Sequence, residues 1–93
     1  MSTRVIQHDQ EHNRFLWTQE GHVCVVDYAL DGDVMQILHT GVPAALGGQG
    51  IAGDLVRAAL DTARAQGWRV RSFCSYATAY LQRHPEYQDL VAS

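Results

Sequence analysis

The sequence predicts an α+β domain, a mostly antiparallel sheet packed against two helices in the order β-β-β-β-α-β-α. Three observations carry this. Residues 22–30 form a run rich in β-branched side chains (Val23, Val25, Val26), and the Asp31-Gly32-Asp33 that follows suits the positive φ a hairpin turn needs. From residue 48 or 50 to 66, Ile51, Leu55, Val56, Ala59, Leu60 and Ala63 recur at the spacing of one helix face. Gly67 then closes that helix, and the strand pattern at 68–73 implies a crossover.

In chain order, residues 1–4 read as a frayed end, 5–8 as a short strand and 9–13 as a polar break. A second strand spans 14–18, with a turn at 19–21. Apolar residues on both faces of 22–30 predict a central strand covered on each side. Residues 34–42 return as its partner in a meander, and Pro43 ends the ladder by removing a donor. A second helix runs from 75 or 76 to His84, with a stripe of Ala77, Tyr80, Leu81 and His84, and Pro85 stops it. Residues 86–93 read as a tail or a final turn.

The 93 residues fit one minimal domain. A net charge of −3 with no basic run predicts no nucleic-acid partner and no anionic-membrane partner. No apolar stretch approaches a membrane span and no signal-peptide pattern opens the chain, so a reduced, cytoplasmic protein is the expectation. Cys24 and Cys74 lack metal-ligand spacing, as do His8, His12 and His22, so no metal site is predicted.

The stretch Gly47-Gly48-Gln49-Gly50-Ile51-Ala52-Gly53 organises the candidate chemistry. Glycines let backbone amides crowd together without a Cβ in the way. A helix starting there adds its unpaired N–H groups and positive dipole end, which together make a cradle for phosphate oxygens. A Gly-rich turn before a helix also serves simply as a turn, so the motif alone does not decide.

Four segments in order resemble the GNAT acyltransferases, and more narrowly their very small single-domain members. They are His39-Thr40 with Val42-Pro43, then Gly48-Gln49-Gly50-Ile51-Ala52, then Cys74-Ser75-Tyr76, and last Arg83-His84-Pro85-Glu86-Tyr87. The resemblance runs from about Val5 to Val91. It implies a GNAT-like fold and acetyl-CoA, or coenzyme A, as co-substrate. Its pyrophosphate would lie on the amides of Gly48, Gln49, Gly50, Ile51, Ala52 and Gly53, with Gly47 at the motif's first position also beside the cofactor, and its pantetheine along Leu38 to Val42. The chain departs from the family motif at Gly47, where Arg or Gln usually helps hold the pyrophosphate. It departs again at Gly41, where the small relatives tend to carry Glu.

The resemblance and position together put Cys74 near the acetyl group. At a strand-helix junction its thiol is expected to have a lowered pKa, as a nucleophile or as a pocket-lining residue, although packing is an equal reading. Cys24, mid-strand among valines, reads as a small core residue. His39 is a candidate base or donor, or else a packed strand residue. Tyr76 and Tyr80 are candidate proton donors to the leaving thiolate, and Tyr80 equally a core aromatic. His84 is placed to reach a helix-terminal carbonyl, and Trp17 and Trp68 to pack at the core or an edge.

The leading expectation is an N-acetyltransferase that moves an acetyl group to a small-molecule or protein amine acceptor. The alternative is a coenzyme A-binding module without fast chemistry. The chain lacks the N-terminal helices with which larger GNAT enzymes shape an acceptor pocket. The acceptor site is therefore expected to be open, or completed by a partner or by the second subunit of a homodimer.

Overall fold

The computed structural model describes residues 4–92. Five strands form one sheet in the order β1-β2-β3-β4-β5: Gln7–Asp9, Arg14–Gln19, His22–Asp31, Val34–Gly41 and Arg69–Ser72. The first four pair antiparallel, and β5 joins β4 in parallel through the crossover helix α1, Ile51–Gln66. A second helix, α2, spans Ser75–Arg83, and a 3₁₀ segment, Pro85–Leu90, follows it. Beyond that segment Val91 bridges Val70 in parallel and the Ala92 amide donates to the Val70 carbonyl, so the C-terminal segment partly covers the β5 edge. The α+β expectation holds in this order, with short 3₁₀ turns at Gln10–His12 and Ala44–Leu46 added.

The turns form where local chemistry directs them. Glu20 and Gly21 both take positive φ, 53° and 77°, and close the two-residue hairpin between Gln19 and His22. Gly32 supplies φ 60° for the next hairpin. Gly67, at φ 76°, ends α1: its amide donates to Arg64 and that of Trp68 to Ala63, which satisfies the last carbonyls.

The predicted stripe of α1 is the buried one: Ile51, Leu55, Val56, Ala59, Leu60 and Ala63. It packs on Phe15, Cys24, Val26, Tyr28, Met35, Ile37 and Val70, and each large aliphatic here contributes roughly 1.5–3 kcal/mol by leaving water. Ala77 and Leu81 of α2 and Tyr87 and Leu90 beyond it complete the same cluster, while Tyr80 and His84 are half-buried at its margin. Trp17 and Trp68 pack against it from the edges.

Three expectations change. The β3 strand is covered on one face only: Cys24, Val26 and Tyr28 are buried, whereas Val25, Asp27 and Ala29 are half-buried and Val23 is exposed. Alternation places these two sets on opposite faces, and every buried strand residue among those described belongs to the helix-covered side. The first strand begins at Gln7, two residues later than predicted. Arg4, assigned to a frayed end, is instead anchored: its guanidinium donates to the Gln49 carbonyl at 2.9 Å and to Asp54 Oδ2 at 2.6 Å. Residues 1–3, the rest of that segment, lie outside the described residues.

Candidate active site

β4 and β5 run together only from Val34 and Arg69 to Ile37 and Ser72, with a last bond from the Phe73 amide to the Ile37 carbonyl at 2.8 Å. Beyond that point they part. On its other side β4 carries a bulge, because Asp27 pairs with His39 while Tyr28 pairs with Ile37, leaving Leu38 as the extra residue. The bulge reverses the side-chain parity of the strand end. Thr40, opposite Val26, faces the helix-covered core, whereas His39, opposite Asp27, and Gly41, opposite Val25, face the bare side.

Thr40 meets Cys74 across the opening, and the Cys74 thiol donates to Thr40 Oγ1 at 3.3 Å. Cys74 is also the N-cap of α2. Burial pushes its thiol pKa up, but hydrogen bonds from Thr40 and from the Ala77 and Tyr76 amides outweigh this and hold it below the ordinary thiol value. The Ser72 hydroxyl pins the junction, accepting from the Cys74 amide and donating to its carbonyl. Cys24 is fully buried and its thiol is pushed up by desolvation, as a core residue requires.

After β4, Val42 and Pro43 lead through the 3₁₀ turn to the glycines. Gly48 and Gly50 both sit at φ 80°, a conformation that side-chain-bearing residues rarely adopt, and a Cβ on either would meet nothing within 4 Å. The glycines therefore serve the backbone path and leave the space above it open. Gly47 has an ordinary φ of −63°. Among the described residues, none of the amides from Gly48 to Gly53 donates to a backbone carbonyl or a side chain. Six consecutive donors, at the positive end of a 16-residue helix, are what an anionic diphosphate needs. A cavity of about 260 Å³ lies against four of these residues, Gly48, Gly50, Ile51 and Ala52, and is lined also by Val42, Leu46, Gly47 and Tyr76.

The sequence-predicted residues distribute unevenly around this cavity. Val42, Gly47, Gly48, Gly50, Ile51 and Ala52 line it. Gln49 does not: its side chain is held by Gln19 at 3.0 Å. Gly53 instead gives room to Tyr76, whose hydroxyl would lie 3.4 Å from a Cβ there. Leu38 is the exposed bulge residue on the splayed strand. Tyr76 lines the cavity and Tyr80 does not; Tyr80 is stacked on His84 at 3.8 Å, and burial raises its pKa. His84 Nδ1 bonds the Tyr80 carbonyl at 2.8 Å, at the helix end where it was expected.

His39 and Cys74 are not brought together. The His39 ring lies on the bare face and folds over Gly41, so that a Cβ at 41 would sit 2.9 Å from His39 Nε2. Beside it on that face, Arg14 Nε donates to Asp27 Oδ1 at 2.9 Å. Among the described residues no group of three His, Cys, Asp or Glu side chains is arranged to hold a metal, and no helix is long and apolar enough to cross a membrane. Sequence reading quoted Thr40 only within the His39-Thr40 segment, with no contact to Cys74, and gave Arg4 no role.

A sequence model of the family described as GCN5-related N-acetyl-transferase matches residues 14–90. The chain belongs to this family. As a GNAT protein it is also similar to a solution structure of a GCN5-like protein from Staphylococcus aureus, at 29% identity and a TM-score of 0.74, over 100% of this chain and 92% of that one. GNAT proteins generally use acetyl-CoA.

Proposed function

We propose that this GNAT protein transfers an acetyl group from acetyl-CoA to an amine. The observation that carries the reading is the run of amides from Gly48 to Gly53, unpartnered among the described residues, beside a cavity that opens where β4 leaves β5. Those amides hold the pyrophosphate, and the free edge of residues 38–42 accepts the pantetheine arm as an added strand. The missing side chain at Gly47 removes one phosphate contact but none of the backbone donors.

In the transfer, the amine nitrogen attacks the thioester carbon, the C–S bond breaks and the thiolate takes up a proton as the amide forms. Tyr76 lines the cavity, and its hydroxyl, beside Gly53, is the proton source for the thiolate. His39 receives the proton the amine loses. Its Nε2 occupies the space over position 41 from which the small relatives project Glu, so this chain exchanges a carboxylate base for an imidazole. The acceptor then approaches over the bare face, and Cys74 lines the cofactor side.

One observation favours the non-catalytic alternative: the His39 ring has no hydrogen-bond partner among the described residues to orient it. Titration with acetyl-CoA, followed by an amine panel read by free-thiol release and mass spectrometry, separates the two. Binding with acceptor-dependent release supports transfer, binding without release supports the module, and no binding ends both.

A further inference from the structure

A turn built on three glycines is entropically costly to hold still, and this one has no side-chain cap at the start of α1 and no cation at position 47. Something else fixes it. Gln49 is gripped twice, its carbonyl by Arg4 at 2.9 Å and its side-chain amide oxygen by Gln19 at 3.0 Å. The Gln49–Gly50 peptide is trans, so its C=O and N–H point in opposite directions. Holding the carbonyl on the Arg4 side therefore aims the Gly50 amide to the other side of the turn. Asp54 bears a second problem. Its carboxylate sits in the first turn of α1, where it would repel a bound diphosphate, and Arg4 pairs with it at 2.6 Å in a site where each side chain is less than one-fifth exposed.

We propose that Arg4 is a positioning residue for the cofactor: it fixes the Gly50 amide in its anion-facing orientation and offsets the Asp54 charge beside the diphosphate. This rests on the acetyl-CoA reading given above. Arg4 lies before the segment that the family model matches, at residues 14–90, so the N-terminal segment supplies from 45 positions away an anchoring that the motif lacks at Gly47.

The test is titration of the full chain with coenzyme A, with the Gly50 backbone order parameter measured by ¹⁵N relaxation NMR in the ligand-free protein. Arg4→Ala is expected to weaken coenzyme A about fivefold to tenfold, with a lower Gly50 order parameter and a cooperative thermal melt retained. Gly50→Glu is the control for the cradle itself. If Gly50→Glu abolishes binding while folded Arg4→Ala binds like the parent, the inference about Arg4 is wrong and the cradle stands. If Gly50→Glu binds coenzyme A unchanged, the cradle fails and Arg4 with it. Should Arg4→Ala unfold, Arg4→Met, which keeps an apolar stem and loses both the donors and the charge, takes its place under the same criteria.

Discussion

Gly41→Ala is the sharpest test of the exchange of an imidazole for a carboxylate. A Cβ at position 41 would lie 2.9 Å from His39 Nε2, where ordinary contact starts at 3.4 Å, so the ring must withdraw by about half an ångström. The remaining contacts of that Cβ, with His39 Cδ2 and Val25 Cγ2, are at 3.6 Å and cost nothing. Position 41 has no positive φ, and the clash is with the tip of an exposed, flexible side chain, so the fold survives. Replacing Gly there stabilises it by about 0.4–1 kcal/mol through the unfolded chain. Misplacing a reacting group by about 1 Å costs on the order of 10²-fold, so half of that displacement should lower turnover by roughly tenfold. His39→Ala removes the base and should cost about 10²-fold or more. Coenzyme A affinity stays constant in both, since the ring lies on the face away from the cavity. The assay is steady-state thiol release with the best amine of a panel, beside calorimetric titration of the cofactor. Because both changes act on one imidazole, the double variant should match His39→Ala alone. Parental turnover in Gly41→Ala, or a double variant slowed by the product of the two single effects, would refute the assignment.

Gly48→Glu should fold with a strain cost of about 1–2 kcal/mol from its φ of 80° and lose at least about tenfold in coenzyme A affinity, and a folded variant that binds normally would sink the phosphate cradle. Gly47→Arg should bind more tightly, because φ −63° accepts a side chain and, among the described residues, its Cβ would closely meet only the Ala44 carbonyl, at 3.3 Å; weaker binding would show that the motif register is wrong. Cys74 should react with iodoacetamide faster than Cys24 and at lower pH than an ordinary thiol, with protection by bound coenzyme A, and Cys74→Ala should keep most of the turnover. A single acetyl mass on Cys74 without acceptor, together with an inactive Cys74→Ala, would instead establish a covalent route. The folding free energy should fall as pH drops through and below about 6.5, since burial lowers the His8 pKa and the unfolded chain then binds the proton more tightly. Denaturant melts of His8→Asn should have a shallower slope across that window, and an unchanged slope would exclude His8 as the source.

What the sequence made readable was local. Gly32 and Gly67 announce their turns because φ near 60–76° is cheap only for glycine, and the α1 stripe is legible because its period leaves one face for the core. The single coverage of β3 was hidden by Val23 and Val25, which place apolar groups on a face that no helix reaches. The bulge at Leu38 had no signal at all. In an unbroken strand His39 would share the core face of Ile37, and one extra residue sends it to the other side and turns Thr40 towards Cys74. Arg4 stayed invisible because Gln49 and Asp54 are 45 and 50 residues away and no spacing encodes such contacts.

The one-sided placement of the helices makes the sheet a partition with a doorway. Cys74, Thr40 and the glycine cavity stand on the covered side, and His39, Asp27 and Gly41 on the bare side, with the parted end of β4 between them. Under the proposed chemistry the two substrates enter by separate routes and neither blocks the other. Initial-rate plots should then show intersecting lines with no fixed order of addition, and each product should leave by the side its precursor used. A chain this small thereby needs no moving lid to take in both substrates, because the crowding that a lid would regulate never arises.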